Sequence, residues 1–244
     1  MLIHASAEEN IIEKNDKYSN INQDNFFYNA YYKSWDLQGW RNKIIKALPK
    51  IFKNKKINVA DLGAALGDKL FLIDELCNVE KAYWIDYSDV AYKYAKKKFA
   101  TKTNYIFFKD DIIKSLDNIP DKSIDVITMF GFLHEVQIDH HQILFQKIRK
   151  KLTDNGIILL SDNNLYFSPE HLYNGLIDSK FEGSIFVKST EISRIKFFFE
   201  LIRNNKKNKI EKKKIRFVLH PKRIDSIVGF FGKDSEQLTK FLFK

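Results

Sequence analysis

Val59-Ala60-Asp61-Leu62-Gly63-Ala64-Ala65-Leu66-Gly67 is the stretch that decides how this 244-residue chain reads. Ile57 to Leu62 reads as a strand, and a helix is expected from about Leu66 to Cys77. Between them Gly63 and Gly67 let the backbone turn sharply and approach a ligand, at a place where the following helix also aims its N-terminus. Asp61 stands immediately before the turn. A carboxylate there disfavours a pyrophosphate, so a dinucleotide is a poor match. A ligand with a cationic amino group and a sulfonium suits the position better.

Outward from this stretch, β-like and helical runs alternate. Strands are predicted at Lys81 to Asp86, Tyr105 to Phe108, Ile124 to Phe130 and Ile157 to Leu160. Helices are predicted at Gln38 to Phe52, Asp89 to Phe99 and Asp139 to Leu152, with Gly156 capping the last and opening the fifth strand. This alternation implies a parallel sheet with helices on both faces, whose ligands lie beyond the carboxyl ends of the strands. The pattern then breaks. A helix carries Ile192, Ile195, Phe199 and Ile202, a lysine run follows, and two β-like segments close the chain at Lys214 to Leu219 and Ile227 to Phe231. The gap between them, holding Pro221, is too short for a crossover helix, so the expectation is an antiparallel pair.

The strand ends carry acids. Asp86 closes the second strand, 25 residues after Asp61, where a carboxylate can accept both hydroxyls of a ribose. The third strand runs into Asp110-Asp111-Ile112, where a carboxylate can accept from an exocyclic adenine amine. Each acid taken singly also reads as a helix N-cap. Three acids at three successive strand ends form a pattern.

Three motifs, V-A-D-L-G-A-A-L-G, W-I-D-Y-S and F-K-D-D-I, together resemble the class I S-adenosylmethionine-dependent methyltransferases, strongly over Ile57 to Leu160. The resemblance implies an α/β, Rossmann-like three-layer sandwich. Its mostly parallel seven-stranded sheet would end in an antiparallel C-terminal hairpin. It implies S-adenosylmethionine as cofactor, with Asp61, Gly63, Ala65 and Gly67 around the methionine part, and Asp86 and Tyr87 at the ribose. Asp111 or Asp110, with Ile112, would lie at the adenine, and Phe130 and Gly131 near the transferred methyl. Ala65 departs from the family's frequent middle glycine. The expected activity is methyl transfer by in-line displacement to a small-molecule acceptor. The alternatives are an RNA-modifying enzyme using the basic surface, and a non-catalytic cofactor-binding partner.

A proton-accepting group would lie after the fourth strand, in Gly131-Phe132-Leu133-His134-Glu135-Val136. His134, with Glu135 beside it, reads either as the base or as a structural histidine bonding backbone at a turn. His134-Glu135-Val136-Gln137-Ile138 fails the zinc pattern His-Glu-x-x-His because residue 138 is Ile. No acid lies near the end of the fourth strand as in metal-dependent catechol-type enzymes, and no Asn/Asp-Pro-Pro-Tyr motif is present. No metal and no DNA-base chemistry are expected.

Seven aromatics fall in the fifteen residues from Phe26 to Trp40. Residues 1–53 are therefore expected to form an N-terminal extension and aromatic helical lid. Tyr28, Tyr32 and Trp35 are its candidates for facing a sulfonium. Residues 54–244 would be the methyltransferase core, with a substrate-side insertion around 163–192 that brings Asn163 toward the acceptor. The charge is +10, from 41 Lys+Arg against 31 Asp+Glu. Lys206 to Lys214 holds six Lys and one Glu and reads as a solvated loop, with RNA phosphates as its alternative partner. A single cysteine, Cys77, excludes a disulfide framework. With no apolar run near the roughly 20 residues of a spanning helix and no secretory leader, the expectation is a cytoplasmic protein without a membrane partner.

Overall fold

The computed structural model describes residues 37–162 together with 175–176, 178–179, 181, 183–187, 215–219, 227–232 and 237. The expected lid and substrate residues Tyr28, Tyr32, Trp35 and Asn163, and the Lys206 to Lys214 run, lie outside them. So does the helix expected around Ile192 to Ile202.

The elements run α1 (Leu37–Ile45), α2 (Leu48–Phe52), β1 (Ile57–Leu62), α3 (Asp68–Leu76), β2 (Val79–Ile85), α4 (Asp89–Lys98) and β3 (Tyr105–Phe108). Then come α5 (Ile112–Asp117), β4 (Ile124–Phe130), two 3-10 turns (Leu133–Glu135 and Ile138–His140), α6 (His141–Lys151) and β5 (Leu152–Asp162). Strands β6 (Gly183–Val187), β7 (Ile215–Leu219) and β8 (Ile227–Phe231) follow.

The part that carries the strand-end acids is a five-stranded, all-parallel sheet in the order β3-β2-β1-β4-β5. Its side chains sort by the two-residue period of the pleat. Val59, Trp84, Val126 and Ile157 face α1 to α4. Ala60, Ile85, Ile127 and Ile158 join the opposite cluster, with Leu116 of α5 and Leu144, Phe145 and Ile148 of α6. Because both faces are covered, β4 and the second half of β5 read as near-continuous apolar runs.

The expected seven strands and antiparallel C-terminal hairpin are not what forms. The described residues contain eight strands, and β7 does not pair with β8. The sheet continues β5-β8-β6-β7, with β8 antiparallel to both β5 and β6, and β6 parallel to β7. Connection length misled the sequence reading. Crossing one intervening strand means moving about 10 Å at about 4.8 Å per strand. The stretch from 220 to 226 reaches well beyond that, at about 3.3 Å per extended residue. The strand that intervenes, Gly183–Val187, lies in what was expected to be an insertion.

Three boundaries move for local reasons. The helix expected over Gln38 to Phe52 is two helices, because Pro49 has no N–H and its ring would collide with the carbonyl four residues back. The chain turns after Ile45 and restarts with Pro49 in the first turn of α2. Gly156 does not cap α6, which ends at Lys151. Ile124 pairs with Leu152 and Val126 with Ile157, so Thr153 to Gly156 bulge out of β5. A Cβ on Gly156 would lie 2.8 Å from Leu152 and 2.9 Å from the Ile124 carbonyl oxygen. The short α5 was not expected; Asp111 caps it by accepting from the Lys114 N–H at 3.1 Å.

Trp84 is fully buried beneath the β1–α3 turn. Its Nε1–H donates to the Ala65 carbonyl at 2.8 Å, and its ring lies 5.7 Å from Phe107 and 5.9 Å from Tyr92. Trp84→Phe removes the donor, leaves a buried carbonyl unmatched and opens a small void. Urea denaturation should show a loss of about 2–3 kcal/mol with unchanged slope.

Candidate functional site

Asp61, at the last turn of β1, is 3% exposed. Thr128, opposite it on β4, donates its hydroxyl to Asp61 Oδ1 at 2.6 Å. Burial pushes the Asp61 carboxyl up to about 7 against the pull of that hydrogen bond; nearby Asp86 pushes the same way, while Lys69 and Arg41 oppose it. The group therefore sits at the edge of ionisation at neutral pH, ready to be fixed as a carboxylate by an incoming cation.

The turn after β1 is held in left-handed backbone conformations at Gly63 (φ +70°), Ala65 (φ +48°) and Gly67 (φ +76°). Ala65 bears the modest steric penalty of this conformation because its polar groups are both engaged. Its N–H donates to Asp86 Oδ2 at 2.8 Å, and its carbonyl accepts from Trp84. Gly63 and Gly67 have no such latitude: a Cβ would come within 2.6 Å of the Phe132 ring at the first and 2.5 Å of the Phe99 ring at the second. The turn is thereby packed against the segment after β4 on one side and α4 on the other.

Asp86, just past β2, is 4% exposed, and its other oxygen accepts from the Ser88 N–H at 2.9 Å. Ser88 in turn caps α4 through the Ala91 N–H. A carboxylate offers about four lone-pair directions, so two backbone donors leave acceptor capacity for a ligand's hydroxyls. Tyr87 beside it is exposed. One strand further out, Asp110 and Asp111 are exposed; Asp110 accepts from the Asp111 N–H at 2.7 Å, Asp111 caps α5, and Ile112 is buried. On the other side, Phe130 ends β4 and Gly131 (φ +69°) donates its N–H to the Ser161 carbonyl at 2.7 Å.

Two cations complete this edge, and the sequence reading named neither. Arg41 of α1 is only 8% exposed. Its guanidinium lies 5.7 Å from the Phe130 ring centroid, within van der Waals reach of Gly131, and its Nε donates toward Ser161 Oγ at 3.4 Å. Lys69 of α3 donates to Asn42 Oδ1 at 2.8 Å, tying α3 to α1. Burial, then Arg41, brings its ammonium down to about 8. Two signals for Arg41 were available: it is the sole arginine in the first 148 residues of a lysine-rich chain, and it falls at helical spacing with the buried Ile44, Ile45 and Leu48.

His134 lies in the 3-10 turn after β4. Its Nδ1 is 2.6 Å from Oδ1 of Asp162, its backbone N–H donates to Oδ2 at 3.1 Å, and its Nε2 is 3.2 Å from Glu135. Asp162, fully buried at the end of β5, is the residue that positions it. The hydrogen bonds from Asp162 and then Glu135 raise the imidazole to about 9. At neutral pH it is an imidazolium whose two ring nitrogens face these carboxylates.

Residues 60–158, from β1 into β5, match the family model described as a methyltransferase domain. The chain is 28% identical over 152 residues to the human tRNA N(3)-cytidine methyltransferase METTL6, covering 59% of this chain and 50% of that protein. The Pongo abelii protein of the same name matches equally. The chain thus spans about half the length of the curated relatives it matches. Among solved structures, a SAM-dependent methyltransferase from Archaeoglobus fulgidus superposes with a TM-score of 0.55 at 17% identity, over 85% of this chain and 99% of that one. A TehB-like SAM-dependent methyltransferase from Corynebacterium glutamicum gives 0.55 at 13%, over 86% and 100%. At these identities the likeness is one of fold.

His134 is raised above its ordinary 6.5, so its contribution to stability is complete below about pH 6.5 and is lost as pH rises through about 9. Asp162→Asn should drop the imidazole midpoint toward the ordinary value, read by side-chain NMR titration, and flatten stability over that window. A midpoint left near 9 would assign the shift to Glu135 instead.

Proposed function

We propose that this chain, a member of the class I methyltransferases of Rossmann-like fold, transfers a methyl group from S-adenosylmethionine to an acceptor held beyond the ends of β4 and β5. The carrying observation is that two buried groups of opposite sign, Asp61 and Arg41, stand near enough to influence each other beside a turn latched to a second buried acid, Asp86. A zwitterionic amino acid joined to a ribose matches that set group by group.

Bound S-adenosylmethionine supplies a methyl carbon made electrophilic by its sulfonium. The chain's own residues orient it. Asp61 receives the ammonium and Arg41 the carboxylate of the methionine part, in the turn formed by Gly63, Ala65 and Gly67. Asp86 accepts from the ribose hydroxyls beside Tyr87, and Asp111 or Asp110 meets the adenine edge next to Ile112. Phe130 and Gly131 border the line of transfer, where alignment of nucleophile, methyl and sulfur supplies most of the rate gain. His134, held through Nδ1 by Asp162, offers its Nε2–H to the acceptor in exchange for Glu135. Tyr28, Tyr32, Trp35 and Asn163, the lid and acceptor-side candidates from the sequence, lie outside the described residues and carry no part of this reading. Helices α1 and α2 belong physically to the core, which buries Ile44, Ile45, Leu48 and Phe52.

Two acceptor classes accord with this reading. A small molecule is the expectation from the sequence. RNA is favoured by a specific observation, the 152-residue likeness to a tRNA N(3)-cytidine methyltransferase, and we place it first.

Calorimetry tests the cofactor half. S-adenosylmethionine and S-adenosylhomocysteine should bind at micromolar levels and NAD should not, and affinity should strengthen as pH rises through about 7, where Asp61 ionises. Silence from both sulfur ligands would sink the proposal. Asp86→Ala should weaken binding by at least about tenfold. Arg41→Gln should cost about ten- to a hundredfold for S-adenosylmethionine, the loss of a charged hydrogen-bond partner, and leave methylthioadenosine, which has no carboxylate, unaffected.

A further inference from the structure

From Leu37 to Ala60 the chain carries seven cationic side chains and not one acid, so this short segment contributes +7 to a chain whose net charge is +10. One of the seven, Arg41, is buried at the mouth of the site. The other six, Lys43, Lys46, Lys50, Lys53, Lys55 and Lys56, are all exposed. Lys43, Lys46, Lys50 and Lys53 recur at helical spacing through α1 and α2, opposite the face that buries Ile44, Ile45, Leu48 and Phe52. They form a stripe that runs from α1 (Lys43) through the turn between the helices (Lys46) to α2 (Lys50) and the residue after it (Lys53), and Lys55 and Lys56 follow in the link to β1.

Elsewhere on the described surface several lysines meet acids. Lys98 pairs with Asp68, Lys102 with Asp74, Lys109 with Asp89, Lys122 with Asp154, Lys147 with Asp117 and Lys151 with Asp121. Local pairs of that kind hold the outward potential down. The α1–α2 segment contains no acid in its own sequence, and its first helix also delivers Arg41 to the site. A polyanion lying along this stripe therefore has one end at the mouth.

We infer that the lysine face of α1 and α2 is the docking surface for the phosphate backbone of an RNA acceptor, which it leads toward the ends of β4 and β5. The inference rests on the RNA reading of the acceptor. It differs from the expectation that the Lys206 to Lys214 run supplies the grip. Lysines act here as point charges that displace counterions, so the surface contributes affinity without sequence preference.

The test uses the full chain and a fluorescently labelled, unmodified tRNA transcript, with anisotropy followed from about 50 to about 200 mM salt. Lys46→Gln/Lys55→Gln/Lys56→Gln should weaken binding at least about tenfold. It should also make the slope of log affinity against log salt shallower by about 2, at about 0.7 per lost phosphate contact. A control with the same charge change elsewhere, Lys93→Gln/Lys97→Gln/Lys122→Gln, should stay within about twofold of wild type. Both variants should bind S-adenosylhomocysteine as wild type does, which separates loss of docking from loss of fold. Equal losses in the two triple variants would overturn the proposal in favour of diffuse charge. No loss in the first would place the grip elsewhere while leaving the RNA reading intact. If wild type ignores the transcript yet binds S-adenosylhomocysteine, the RNA reading falls and docking with it, but the cofactor reading stands. Capture on phosphatidylglycerol vesicles without tRNA binding would likewise overturn it, assigning the face to an anionic membrane.

Discussion

The carboxylate of Asp86 ties two turns together. One oxygen accepts from Ala65 in the turn after β1, the other from Ser88 at the start of α4, and the side chain itself is buried at the end of β2. Backbone N–H groups at such turns have no sheet or helix partner, and a buried charge needs donors as much as they need an acceptor. The arrangement satisfies all three at once. Trp84, two residues upstream on the same side of the strand, closes the other half of Ala65 through its carbonyl. Ala65 can hold a left-handed conformation without being glycine because both of its polar groups are engaged. The geometry of the turn, and with it the placement of Asp61 and α3, follows from this bridge.

Around the bridge the electrostatics are balanced and unsettled. Buried Asp61 stands among a second acid, Asp86, and two cations, Lys69 and Arg41, and burial pushes Asp61 up to about 7 and Lys69 down to about 8. Groups poised near neutrality inside a cleft are those that a charged ligand can shift at small cost. The His134–Asp162–Glu135 cluster is the opposite case. There two carboxylates face the two ring nitrogens of one imidazole and fix the ring in place, raising it to about 9.

How much could be read in advance differs from element to element. Strands β1, β3 and β4 fall at the expected residues, since each is a short buried run bounded by turn residues. The strand-end acids could be located for the same reason: once a parallel sheet is recognised, its carboxyl edge is known. The break in the first helix was harder, although Pro49 marked it. The pairing of β7 and β8 was out of reach, because a short loop permits either a hairpin or a step over one strand. Arg41 was legible and overlooked. It stands three, four and seven residues before Ile44, Ile45 and Leu48, in line with the apolar face of the helix, but that it meets Phe130 and Ser161 follows only from the packing of α1 against the sheet.

Periodicity, turn chemistry and the spacing of three acids determined, from sequence alone, a parallel α/β core and the edge where its ligand lies. These are local properties, set by which side chains alternate and which backbone positions demand glycine. Tertiary structure decided what depends on residues far apart in the chain. It brought Arg41 over Phe130, set Asp162 behind His134, matched Thr128 to Asp61, and inserted β8 between β5 and β6. Each of those contacts requires the sheet to exist first, because register between strands, not neighbourhood along the chain, is what places the two partners side by side.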